Sequence, residues 1–143
     1  RLFLQRHLCF EAAEMKELLY VIQRHNASHL HYDLRLEADG VLKSWALPKE
    51  PPAAKGTKRL AVSVPDHELG YEKFEGTIPK GQYGAGEVRT WDKGHYAPLE
   101  IKKDAIVIEI HGKKLKGTYC LIRLKSKSDK SKNTDKNWLF FKK

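Results

Sequence analysis

The chain has 143 residues, and Lys plus Arg outnumber Asp plus Glu by 27 to 18 for a net charge of +9 at pH 7. That length suits one domain with a hydrophobic core, while the absence of any apolar run near the ~20 residues that span a bilayer, and of a secretion signal, leads to the expectation of a cytoplasmic chain with no membrane contact. Cys9 and Cys120 lie far apart and form no C-x-x-C pair, so neither a disulfide framework nor a thiolate zinc site is indicated, and the basic excess favours a polyanion such as nucleic acid.

Residues 10 to 19 carry helix formers and neither Gly nor Pro, which predicts a short helix within an N-terminal extension over residues 1–19, ahead of a main domain over 20–143. Strands are then predicted from Leu19 to Gln23, from Leu30 to Glu37 and, beyond the hairpin turn Ala38-Asp39-Gly40, from Val41 to Ala46. Pro48, Pro51 and Pro52 open a loop through Gly56, Leu60 to Val64 resumes a strand, and a long loop is expected from Pro65 to Gly86. Further strands are predicted over Glu87 to Asp92, Ala105 to His111, Gly117 to Leu124 and Asn137 to Phe141. The Lys/Ser run from Lys125 to Lys132 reads as a flexible loop able to touch phosphates without reading sequence. Short strands with regular turns predict a mainly β fold, a small closed or nearly closed β-barrel with a short N-terminal helix. Trp45, Trp91 and Trp138 are expected in its core, and Tyr83, among glycines, on its surface. Gly81-x-x-Gly84-x-Gly86 is not a nucleotide-binding loop, because a strand and not a helix follows it.

The chemistry concentrates in His25-Asn26-Ala27-Ser28-His29-Leu30-His31-Tyr32-Asp33-Leu34-Arg35. From His29 onward polar groups alternate with Leu30, Tyr32, Leu34 and Leu36, the period of a strand with one buried face. His31 and Asp33 at i and i+2 can converge on one divalent ion, with His25 reaching in from the preceding turn and Arg35 facing an anion alongside. A merely solvated strand face would more commonly carry Lys, Thr and Glu. The spacing does not choose among zinc, manganese and iron. Two other readings fit parts of the pattern: an iron oxygenase site from His31, Asp33 and His67, and a barrel that holds nucleic acid without cutting it.

Three blocks, Gln23 to Glu37, Gly40 to Lys49, and Asp66-His67 with Tyr71 and Phe74 to Gly86, closely resemble the 3′-phosphoesterase domain of DNA ligase D, from about Tyr20 to the C-terminus. The resemblance implies a β-barrel enzyme of DNA repair by non-homologous end joining, removing 3′-terminal ribonucleosides as a phosphodiesterase and 3′-phosphates as a phosphomonoesterase to leave a 3′-hydroxyl. It implies that His25, His31 and Asp33 hold manganese, with zinc or cobalt as alternatives. It further implies that Arg35 and His67 hold the scissile phosphate, that Tyr71 is a further active-site residue, and that Gln23, Lys49 and Arg59 make supporting contacts. The expected substrates are DNA or RNA/DNA primer-template 3′ ends, and the expected partners are separately encoded ligase, polymerase and Ku-like end-binding proteins. No polymerase or ligase module accompanies these motifs, and residues 1–19 show no equivalent of the Arg-Asp element that precedes the first histidine motif in longer family members, so a stand-alone, monomeric form is expected.

Overall fold

A computed structural model of the chain describes residues 18–125 and 136–143. The strands are β1 (Leu18–Asn26), β2 (Leu30–Ala38), β3 (Val41–Leu47), β4 (Lys58–Glu68), β5 (Gly76–Ile78), β6 (Gly86–Ile101), β7 (Ala105–Gly112), β8 (Lys116–Arg123) and β9 (Asn137–Lys142), with one 3-10 turn at Tyr71–Lys73. They pair in the order β1-β2-β3-β4-β9-β8-β7-β6, and β6 returns to β1, so eight antiparallel strands close a barrel; β5 pairs with the start of β6. No α-helix occurs among the described residues, and none of their helices is long and apolar enough to cross a membrane. The helix predicted over residues 10 to 19 lies outside the described residues up to position 17. Leu18 and Leu19 are strand, paired with Tyr96 and His95, with the Leu19 N–H donating to Glu37 Oε1 at 2.9 Å. Of the Lys/Ser run only Lys125 is described, and Cys9 is outside; Cys120 is buried and unbridged.

Alternate residues of the staves fill the interior: Tyr20 and Ile22, Tyr32, Leu34 and Leu36, Trp45 and Leu47, Ile108 and Ile110, Tyr119 and Leu121, Trp138 and Phe140. Trp45 and Trp138 meet edge-to-face at 5.9 Å, and Trp91 packs partly buried against the same cluster. The predicted Asp39-Gly40 turn forms with both residues at positive φ, 54° and 80°, as a two-residue hairpin requires. It sets Ala38 opposite Val41 and therefore Arg35 opposite Ser44.

Two expectations change. β2 is buried on both faces, not one: Leu34 is fully buried inside, while on the outer face Asp33 and Arg35 keep only 6% and 4% exposure. The cover comes from the segment after Pro65, which is not a loop throughout. β4 runs on to Glu68 by a bulge, Leu42 pairing with His67 and Ser44 with Val64, so three steps on β4 oppose two on β3. A bulge needs no ladder N–H from its extra residue, which is why Pro65 can sit there. Beyond it the 3-10 turn and β5 fold back toward β1 and β6.

One buried carboxylate ties the far end of the barrel. Asp92 accepts hydrogen bonds from the Tyr20 hydroxyl at 2.8 Å and from the backbone N–H groups of Lys113, Lys114 and Leu115 at 2.8, 2.9 and 2.9 Å, which hold the β7–β8 turn. Replacing Asp92 by Ala strips four donors of their acceptor and is expected to lower the unfolding free energy by about 3 kcal/mol, read from urea denaturation. A loss below about 1 kcal/mol would show that the ladder alone closes this turn.

Candidate active site

The site lies on the outer face of β1, β2 and β3. The β1–β2 hairpin pairs Asn26 with Leu30, and this register places His25 opposite His31 and Gln23 opposite Asp33. His25 is thus a strand residue, not one reaching in from a turn. Directly opposed residues share a face, so the two imidazoles stand side by side, ring centroids 4.7 Å apart, with Asp33 one pleat further on. One ligating atom from each of His25, His31 and Asp33 falls within 4.8 Å of the others, and this is the sole such group among the described residues. His67, required by the iron-oxygenase arrangement, is not part of it; His25 completes the trio instead.

Each imidazole has one nitrogen tied to a backbone carbonyl. His25 Nε2 lies 2.7 Å from the Gly84 oxygen and His31 Nδ1 lies 3.2 Å from the His29 oxygen. A carbonyl only accepts, so these nitrogens carry hydrogens; the neutral rings offer the lone pairs of His25 Nδ1 and His31 Nε2 to a cation, whereas a protonated His31 donates from Nε2 to Asp33. Those are the atoms that approach the Asp33 carboxylate, at 3.5 and 3.3 Å. Carbonyl-oriented imidazoles beside a carboxylate form a donor set that suits a divalent cation. Burial opposes charge on Asp33, but the His31 hydrogen bond, Arg35 and both imidazoles together outweigh it and hold the carboxyl below its ordinary value. The Asp33 hydrogen bond, foremost, raises His31 above an ordinary imidazole.

Arg35 is fixed from three sides. Its Nε donates to Gln23 Oε1 at 2.7 Å, its Nη1 to Ser44 Oγ at 2.8 Å, and Nη2 lies 3.4 Å from Asp33 Oδ2. Ser44 passes the chain on to the Leu42 carbonyl at 3.0 Å, and Gln23 donates to the Tyr71 carbonyl at 2.8 Å. Among the described residues the remaining guanidinium N–H groups have no partner, which leaves them to take an anion. Gln23 is fully buried and so acts behind Arg35, while the guanidinium lies over the Tyr71 ring, 4.9 Å from its centroid.

The β4 bulge turns His67 onto this face. His67 stacks on Tyr71 with centroids 4.4 Å apart, and Tyr71 stacks on Phe74 at 5.3 Å. Burial, aided by the Arg35 charge, pushes His67 below its ordinary value, so at neutral pH it is a neutral ring able to donate one N–H. Burial likewise pushes the Tyr71 phenol up. His25, His31, Asp33, Arg35, His67 and Tyr71 all border one open cavity of about 580 Å³. Lys49 and Arg59 do not: Lys49 is exposed in the loop after β3, and Arg59 donates to the Glu50 carbonyl at 2.8 Å.

Ser44 and the Gly84 carbonyl are contributors that sequence reasoning passed over. Ser44 was reachable, since the two-residue turn dictates that it faces Arg35. The Gly84 contact depends on how the segment over the site folds back, where Gly86 at φ 132° passes so close to Asn26 that a Cβ would strike its carbonyl.

Residues 23–123 match the family model of the DNA Ligase D 3′-phosphoesterase domain. The chain is 51% identical over 111 residues, 74% of its length, to the multifunctional non-homologous end joining protein LigD of Pseudomonas aeruginosa. It is 46% identical over 120 residues, 76% of its length, to the protein of the same name from Mycolicibacterium smegmatis, and 46% identical over 108 residues, 73% of its length, to the multifunctional non-homologous end joining DNA repair protein LigD of Mycobacterium tuberculosis. These alignments span 13%, 16% and 14% of the respective relatives.

Proposed function

This chain belongs to the DNA Ligase D 3′-phosphoesterase domain family, and from that membership we propose that its outer-face cleft hydrolyses phosphoesters at the 3′ ends of DNA strands, with a divalent cation, in repair by end joining. The observation that carries the reading is the convergence of His25, His31 and Asp33 within 4.8 Å beside an arginine with N–H groups to spare. Manganese is the cation the family resemblance suggests, and zinc and cobalt suit the same donors. The substrates are primer-templates ending in a 3′-phosphate or a 3′-terminal ribonucleoside, and the product is a 3′-hydroxyl. Ligase, polymerase and Ku-like end-binding proteins are the partners that would use such an end.

His25, His31 and Asp33 would hold a divalent cation, which would supply Lewis acidity toward a phosphoryl oxygen. The charges of Asp33 and Arg35 cancel, so a bound cation would leave the cleft net positive toward a phosphate. Arg35, held by Gln23 and Ser44, meets the non-bridging oxygens without reorganising as charge builds on them. Water attacks phosphorus as the bond to the leaving oxygen breaks, with solvent taking up and returning the protons; the neutral His67 donates a hydrogen bond to a phosphoryl oxygen, and Tyr71 keeps both cationic and imidazole neighbours in place by stacking.

The test is incubation of the chain with labelled primer-templates bearing a 3′-phosphate or one 3′-ribonucleotide across a panel of divalent ions. Phosphate release with manganese and none with chelator is expected; no release in any metal would remove the proposal. A pH dependence follows. A proton and a cation compete for His31 Nε2, and because His31 is raised above 6.5, cation affinity rises with pH through a midpoint above that value. Calorimetric manganese titrations are expected to show proton release and about tenfold weaker binding near pH 6 than near pH 8. Equal affinities would show that His31 is not a ligand.

A further inference from the structure

Tyr83 is a large aromatic at the cleft with no part in the proposed hydrolysis. Its side chain is 86% exposed yet borders the cavity, and among the described residues it has neither a hydrogen bond nor a ring partner. The neighbouring aromatics His67, Tyr71 and Phe74 are already engaged with one another, His67 on Tyr71 and Tyr71 on Phe74. Leaving a phenol ring in water at the mouth of an anion-binding cleft has no packing benefit, and Lys or Ser would serve solubility better there.

Its position is nonetheless fixed. Two successive turns bracket it, with the Gln82 N–H donating to the Pro79 carbonyl at 3.3 Å and the Ala85 N–H to the Gln82 carbonyl at 3.1 Å. The very next residue, Gly84, accepts the His25 hydrogen bond at 2.7 Å. The backbone carrying Tyr83 is therefore anchored to a side chain of the proposed cation site, one residue away. A flat apolar face held there is what a nucleobase one ribose away from a bound phosphate would meet, and stacking of this kind tolerates any base.

Resting on the phosphoesterase reading, we propose that Tyr83 is the platform on which the base of the 3′-terminal nucleotide stacks while its phosphate lies against Arg35 and the group of His25, His31 and Asp33. Tyr83 thereby makes the cleft select polynucleotide ends that carry a base over bare phosphate esters. The hydroxyl has no part in this.

The experiment uses the full chain and an oligonucleotide with 2-aminopurine as its last base and a 3′-phosphate. Binding is expected to quench the fluorophore in the wild type and in Tyr83→Phe; in Tyr83→Ala most of the quench is lost and Kd rises about tenfold. With manganese, Tyr83→Ala raises KM about tenfold for the base-bearing end with little change in kcat, and the KM penalty vanishes for an abasic 3′-phosphate end. Quenching that persists in Tyr83→Ala, an equal penalty on the abasic end, or a Phe variant as defective as the Ala variant would overturn the proposal. A wild type that quenches through Tyr83 but releases no phosphate would instead remove the hydrolase reading and leave the stacking. A KM for the base-bearing end that is unchanged in Tyr83→Ala would remove the stacking alone.

Discussion

Exchanging His31 for Ala is expected to reduce manganese-dependent phosphate release by about 10³-fold or more, equivalent to about 4 kcal/mol of transition-state stabilisation. The residue contributes one of the three converging donor atoms, and its Nε2 sits 3.3 Å from Asp33 Oδ1. Its loss both opens a coordination position and frees the carboxylate to turn. The fold should survive, because His31 is half-buried at the rim and belongs to no core cluster, whereas Asp33 and His25 are buried. Manganese affinity, followed by calorimetry, should fall by at least about 100-fold in the same variant, in step with activity. Full turnover in this variant would disprove a cation held by His31, and unchanged affinity with lost turnover would move His31 from holding the cation to handling the proton.

The second large effect separates the anion grip from the cation site. Arg35→Lys keeps the positive charge beside Asp33 but cannot donate at once to Gln23, Ser44 and a phosphate, because an ammonium is a point charge and not a planar fork. We expect kcat to fall about 10²- to 10³-fold with manganese affinity within about threefold of wild type. Arg35→Ala should lose turnover as well, but it leaves Asp33 without its buried partner and is expected to cost about 3 kcal/mol of fold stability, so the Lys variant is the cleaner measurement. If Arg35→Lys weakened manganese binding as much as it slowed turnover, the guanidinium would be serving the cation trio and not the phosphate. In that event the role assigned to it here would be wrong.

The residues of the site are local in sequence, and that is why most of it could be read there. His31, Asp33 and Arg35 share one face of β2 by simple alternation, and the two-residue Asp39-Gly40 turn brings Ser44 to Arg35 by counting. The β1–β2 register does the same for His25 and Gln23 across a three-residue turn. The ring of strands was equally legible, since short apolar runs parted by Gly and Pro punctuate the chain from β1 to β9. Local pattern misleads where long-range packing overrides it. Pro65 looked like a strand end, yet β4 passes through it because a bulge opposite Lys43 needs no N–H from the extra residue. The strand reading of Glu87 to Asp92 likewise stopped short of β6, which continues to Ile101 with a second register shift after Pro98.

Sequence by itself determined the barrel's staves, the donor types and their spacing, because alternation and hairpin turns are local geometry that a few residues impose on themselves. Only the tertiary structure decided that Asp33 and Arg35 on the polar face of β2 are buried, that Gly84 orients His25, and that His67 stacks on the Tyr71 ring that covers Arg35. These depend on residues 65–86 folding back across β1 to β3, a set of contacts between segments far apart in the chain. Their free energy comes from burial and hydrogen bonds that no local propensity encodes.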